Sequence, residues 1–139
     1  TVVIIGILAA IAMPNFLRQV QRATQSEAQS YLGSVLRTQQ TYRLEHGEFA
    51  TAVNQLQVRI PDETENYDYT IDGDTNEGIA QANPKDTKLK GYHGMVKIVD
   101  PGKRNVAKIV ICESDSPGSV PTASIDTSGT ASCTDGKAL

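Results

Sequence analysis

The chain opens on an unbroken apolar run. From Thr1 to Phe16 (TVVIIGILAAIAMPNF) nothing is charged, Thr1 and Asn15 are the only clearly polar side chains, and Arg18 is the first charge. At about 1.5 Å per helical residue the run through Leu17 reaches roughly 25 Å, close to the thickness of a bilayer's hydrocarbon. Past Pro14 the pattern becomes one-sided. Leu17, Val20, Ala28, Tyr31, Leu32, Val35, Leu36 and Tyr42 recur at helical spacing with Gln, Ser, Thr and Arg between them, which predicts an amphipathic helix with one side available to a sheet. His46-Gly47 ends it, because glycine takes the left-handed turn at a helix C-terminus. A continuous helix from Thr1 to His46 would be about 70 Å long.

The period then shortens to two. Phe49 and Leu56 sit in an irregular loop bounded by Pro61 and are expected to cover the helix end. Tyr67 to Ile71 alternates cleanly before a turn at Gly73, Gly78 to Ala82 is a weaker strand, and Tyr92 to Val99 and Ala107 to Cys112 follow, joined through Asp100-Pro101-Gly102. Consecutive strands of this kind predict an antiparallel meander of about four laid against the helix, an α+β fold. Ser114 to Leu139 is rich in Ser, Thr, Gly and Pro and is expected to bury little. The chain divides into an apolar helical segment 1–17, an amphipathic half 18–47 of the same helix, a loop 48–66, a sheet 67–112 and a C-terminal loop 113–139.

A cleaved signal peptide would need a basic segment before the apolar run and a small-residue cleavage site after it, whereas Met13-Pro14-Asn15-Phe16 follows and the helical pattern continues. A core helix apolar on all faces could hardly be surrounded by a chain of 139 residues. An anchor, or a helix buried in an assembly, is the expectation. Within it, Pro14 lacks an N–H and its ring presses on the carbonyl of Ala10, which weakens a helix by about 3 kcal/mol. Gly6 adds about 1 kcal/mol of backbone entropy cost, so the stretch from Gly6 to Pro14 is the weak joint of the stem.

Ile-Ile-Gly-Ile-Leu-Ala-Ala-Ile-Ala-Met-Pro-Asn-Phe, Ile4 to Phe16, closely resembles the N-terminal helix of type IV pilins and their secretion-system relatives. The likeness continues loosely to Gly47 and beyond it is one of architecture. The family pattern implies roughly eight residues before Thr1, with a methylated phenylalanine and a glutamate near the mature start. The resemblance further implies that Gly6 to Pro14 is helical in the membrane-held subunit and extended in the filament; a continuous helix kinked at Pro14 is the alternative. Val3, Ile4, Ile5, Gly6, Ile7, Leu8, Ala9, Ala10, Ile11, Met13 and Phe16 are then the filament-core packing residues.

Charge adds a second pattern. The net charge of −3 is mild, but from Glu45 to Glu77 nine acids face Arg59 alone, and from Lys85 to Lys108 seven bases face Asp86 and Asp100. The basic stretch (Lys85, Lys88, Lys90, Lys97, Lys103, Arg104, Lys108) has three readings. It is a DNA-binding face, although Tyr92 is its only aromatic. It is a sheet edge guarded by lysines. Or it meets the acids of a neighbouring subunit, with Lys85, Lys88 and Lys90 against Asp72, Asp74 and Glu77. Arg18 and Arg22 alone would place their end in the cytoplasm, against the orientation the resemblance implies.

Cys112 and Cys133, beside the Ser/Thr-rich tail of a chain with an export-type helix, are expected to form one disulfide closing the C-terminal loop; two buried thiols are the alternative. No zinc pattern occurs. Asp72, Asp74 and Asn76 have the spacing that opens a calcium loop, but Glu77 stands where the glycine bend belongs, so a solvated hairpin turn is expected and no metal or cofactor. His46 and His93 form no dyad, and no nucleophile elbow or phosphate loop appears, so an enzyme is not expected. Possible O-linked sugars on the tail are left open by the sequence.

The function expected from the resemblance is a major pilin that polymerises with copies of itself into a surface pilus for adhesion, motility or DNA uptake. Before assembly it would be held in the inner membrane with its globular part in the periplasm. A prepilin peptidase would process it and an ATP-driven assembly machine would insert it. The alternatives are a pseudopilin of a type II secretion system, a minor DNA-binding pilin, and a bitopic membrane receptor.

Overall fold

The structure, a computed structural model, describes residues 2–57, 61–100, 104 and 106–139, with side chains from residue 16 onward. One helix, α1 (Val2–His46), accounts for 45 residues, about 68 Å of length. It ends as its sequence dictates: Gly47 takes φ +84°, and its N–H donates to the Arg43 carbonyl at 2.7 Å. A short 3-10 turn, Val53–Gln55, interrupts the loop that follows.

Four strands then form the expected meander: β1 (Tyr67–Gly73), β2 (Glu77–Pro84), β3 (Tyr92–Val99) and β4 (Val106–Ser114). Each pairs antiparallel with the next. The fold is α+β, a long helix laid across an antiparallel sheet. The tail departs from expectation by contributing three strands: β5 (Thr122–Ile125), β6 (Ala131–Thr134) and β7 (Gly136–Ala138). β7 joins the main sheet beside β4, extending the order to β1-β2-β3-β4-β7, and β5 and β6 form a separate hairpin.

The period of two now explains the layering. On β3, Tyr92, Val96 and Ile98 belong to the core under α1, where they meet Ala28, Leu32, Val35 and Leu36 of the helix and Phe49 of the loop. Met95 and Val99, the alternate residues, join Val110, Cys112, Ala123 and Ile125 in a second core between the sheet and the hairpin. The sheet is thus covered on both faces, and β3 is buried along nearly its whole length. The expectation that the tail buries little is corrected here: Ala123 and Ile125 are 2% and 3% exposed.

The helix differs from expectation at its other end. Leu17 and Val20 continue the apolar stripe, yet both are exposed, since the buried part of the stripe begins at Ala28.

Candidate functional site

The feature that distinguishes this molecule is a stem that its own sheet covers only in part. Phe16, Leu17 and Val20 are 66%, 57% and 46% exposed. Such apolar positions, in sequence continuity with the run before them, are what a helix presents when its partner is another molecule or lipid. The backbone of α1 passes through Gly6 and Pro14 without a break. The side chains of Val3, Ile4, Ile5, Gly6, Ile7, Leu8, Ala9, Ala10, Ile11, Met13 and Pro14 lie outside the described residues. Among the described residues no helix is long and apolar enough to cross a membrane.

Where the stem meets the head, a half-buried polar cluster locks it. The Glu113 carboxylate, 12% exposed, lies 3.4 Å from Lys90 Nζ and 3.8 Å from Lys137 Nζ. It also accepts from the Tyr92 hydroxyl at 3.1 Å and from Gln29 Nε2 of α1 at 3.2 Å. Helix, β3, β4, β7 and the loop before β3 are therefore joined through one carboxylate. Tyr31 of the helix stacks on Tyr69 of β1 with ring centroids 3.7 Å apart, and its hydroxyl donates to the Pro61 carbonyl. Burial pushes the Tyr69 phenol up to about 12 and raises those of Tyr31, Tyr67 and Tyr92 further. All four stay neutral hydrogen-bonding groups at physiological pH.

The charged residues singled out from the sequence are dispersed. Lys85 pairs with Glu63 at 2.9 Å and with Asp68 at 3.5 Å, and its hydrogen bond to Glu63 raises its pKa. Lys97 pairs with Glu77 at 3.4 Å across β2 and β3, and Lys90 is held by Glu113. Asp72 and Asp74 mark the β1–β2 turn, where Asp74 Oδ1 accepts from the N–H groups of Asn76 and Glu77 at 2.7 and 2.8 Å. That is a self-satisfied hairpin turn. Lys88 is exposed, and Lys103 lies outside the described residues. His93 is a packing residue, 8% exposed, whose Nδ1 accepts from the Ala123 N–H of β5 at 3.0 Å. Cys112 and Cys133 form a disulfide with Cα atoms 5.8 Å apart, tying β4 to β6.

Sequence reasoning missed Glu113 and Gln39. Gln39 sits among the polar residues Arg37 to Thr41 and Glu113 at the polar end of β4, so nothing local marks either, and only the partners that converge on it from distant positions give it meaning.

A helix this long, capped by a small sheet and a disulfide-tied C-terminal region, is the architecture that the first residues implied. A family model described as "Type IV pilin-like G and H" matches residues 25–134. The chain belongs to this type IV pilin-like family. The match begins at Gln25, past the apolar run, so the amphipathic half of α1 and the globular part of the pilin carry the assignment independently of that run. The type IV major pilin protein PilA of Myxococcus xanthus (strain DK1622) is 36% identical over 70 residues, which is 50% of this pilin and 31% of that protein. The matched part thus spans about a third of the curated relative's length. No solved structure matches. The family is structural rather than enzymatic.

Proposed function

We propose that this pilin is the major structural subunit of a type IV pilus, held in the inner membrane by residues 1–17 and transferred during assembly into the core of a helical filament of its own copies. The observation that carries the reading is the uncovered stem: Phe16, Leu17 and Val20 stay exposed although a complete two-layer core lies a few turns away. Assembly exchanges lipid contact for neighbouring helices, and Gly6, Ala9, Ala10 and Ala12 let those helices approach closely. Gly6 and Pro14 make the stretch between them the place where the unbroken α1 of the free subunit can extend when packed. The sheet and hairpin face outward and supply contact for adhesion, motility or DNA capture. Prepilin peptidase and an ATP-driven assembly machine complete the pathway.

Electron microscopy of material sheared from cells, with mass spectrometry of its main band, tests this. Long fibres composed chiefly of this chain are expected, and a charged residue at Ile7 or Ala10 is expected to abolish them. Fibres of normal length from an Ala10→Asp chain would overturn the polymerisation role. A chain confined to the periplasm without fibres would assign it to a type II secretion system as a pseudopilin.

A further inference from the structure

The junction between stem and head holds a groove of about 340 Å³ whose walls carry Arg18, Arg22 and Gln25 of α1, Lys88 and Lys90 of the β2–β3 loop, and Pro117. It is built rather than incidental. Gln25 Oε1 accepts from the Lys90 N–H at 3.1 Å, Leu89 is buried, and the Gly118 N–H donates to the Leu89 carbonyl at 2.7 Å. The loop is thereby pinned to both helix and tail. Arg18 and Arg22 stand one helical turn apart and face the same loop. Lys90 is turned toward Glu113, while the ion pairs among the described residues include neither Arg18, Arg22 nor Lys88. Three uncompensated cations around one small concavity call for an anion.

Position selects which anion. The apolar run ends at Leu17, and Arg18 and Arg22 lie about 1.5 and 7.5 Å further along the helix axis. Bilayer headgroups occupy roughly 5–8 Å beyond the hydrocarbon on each side. The groove therefore spans the depth at which lipid phosphates lie when the run through Leu17 fills the hydrocarbon. We infer that this groove binds the phosphate of an anionic phospholipid and sets the height and tilt of the globular head on the membrane before assembly. The inference rests on the membrane-held stage proposed above. It also gives Arg18 and Arg22 a partner on the side of the bilayer where paired cations oppose the usual orientation rule.

The test uses the full chain reconstituted into vesicles of phosphatidylcholine and phosphatidylglycerol, with retained lipids counted by native mass spectrometry. The expected result is phosphatidylglycerol enriched over its bulk share, with enrichment falling about fivefold for each cation removed in Arg22→Gln and Lys88→Gln. Lys108→Gln, on β4 and outside the groove, should leave it unchanged. Equal retention of both lipids, or full enrichment in the double variant, would overturn the inference. So would displacement of the lipid by inorganic phosphate, which marks a free-anion site. Enrichment that vanishes as chains are diluted in the bilayer, in step with chain–chain cross-links, would instead give the groove to the acids of a second copy. A chain that fails to float with vesicles would overturn the membrane-held stage itself, whereas one that floats with no lipid preference overturns only the groove.

Discussion

Gln39 and Ala50 close a reciprocal pair of hydrogen bonds in the interior. Gln39 Nε2 donates to the Ala50 carbonyl at 3.0 Å, and the Ala50 N–H donates to Gln39 Oε1 at 2.7 Å. Gln39 is fully buried, so the loop leaving α1 is fastened to the helix by one amide acting as a backbone surrogate. Gln39→Ala should leave a buried N–H and a buried C=O unpaired and cost about 2–4 kcal/mol. Thr41→Ala on the exposed face should stay within about 0.5 kcal/mol. Equilibrium denaturation in detergent compares the two, and equal midpoints would refute the pairing's role.

Gly91 is required for a different reason. A Cβ there would lie 2.4 Å from the Ser119 carbonyl oxygen and 2.6 Å from a Val120 methyl. The Gly91 N–H donates to that same Ser119 oxygen at 2.9 Å, so the loop before β3 and the segment before β5 cannot part without losing the bond. Gly91→Ala should cost about 1–3 kcal/mol. Gly33→Ala, whose nearest neighbour would be the flexible end of Arg37 at 3.7 Å, should be neutral or stabilise by up to about 1 kcal/mol. Thermal midpoints of the two variants moving in the same direction would contradict this account.

What could be read from the chain beforehand follows a physical division. The helix was legible because a full stripe and a terminal glycine agree, and the meander because large apolar residues alternate or run unbroken, as in Tyr67 to Ile71 and Tyr92 to Val99. The tail was not. Thr122-Ala-Ser-Ile alternates in burial, but with alanine as an inward residue the contrast is too small to register as amphipathic. β7 is a strand only because the edge of β4 is there to pair with it. The start of the stem's coverage was equally hidden, since Leu17 and Ala28 fit the same stripe and only the size of the sheet decides which is covered. Of the functional surface, the apolar run and its Gly/Pro joint were visible as composition. The basic groove was not, because Arg22 and Lys88 meet only in three dimensions.

The disulfide offers a third test. Cys112 and Cys133 are 21 positions apart, and closing a loop of that size removes about 3 kcal/mol of unfolded-state entropy. It also clamps the hairpin over Met95 and Val110. Reduction should lower global stability by about that amount and raise amide exchange first in β5 and β6, leaving β1 and β2 protected. Uniform loss of protection across all strands would mean that the hairpin has no independent opening.

His93 links the same hairpin to pH. Its Nδ1 accepts from the Ala123 N–H, a role open only to the neutral ring in the tautomer protonated at Nε2. Burial lowers its pKa from the ordinary value of 6.5. A histidine whose folded pKa is depressed binds fewer protons folded than unfolded, so its contribution is present in full above about pH 6.5 and declines as pH falls toward the folded value. The thermal midpoint should therefore drop between about pH 7 and about pH 5.5, with the Ala123 amide losing protection earliest. His93→Asn keeps an acceptor near the Ala123 N–H and removes the titration, so its midpoint should vary less over the same interval. A wild-type midpoint that rises on acidification through this window would reverse the sign of the linkage. Equal slopes in the two proteins would place the proton uptake on another group.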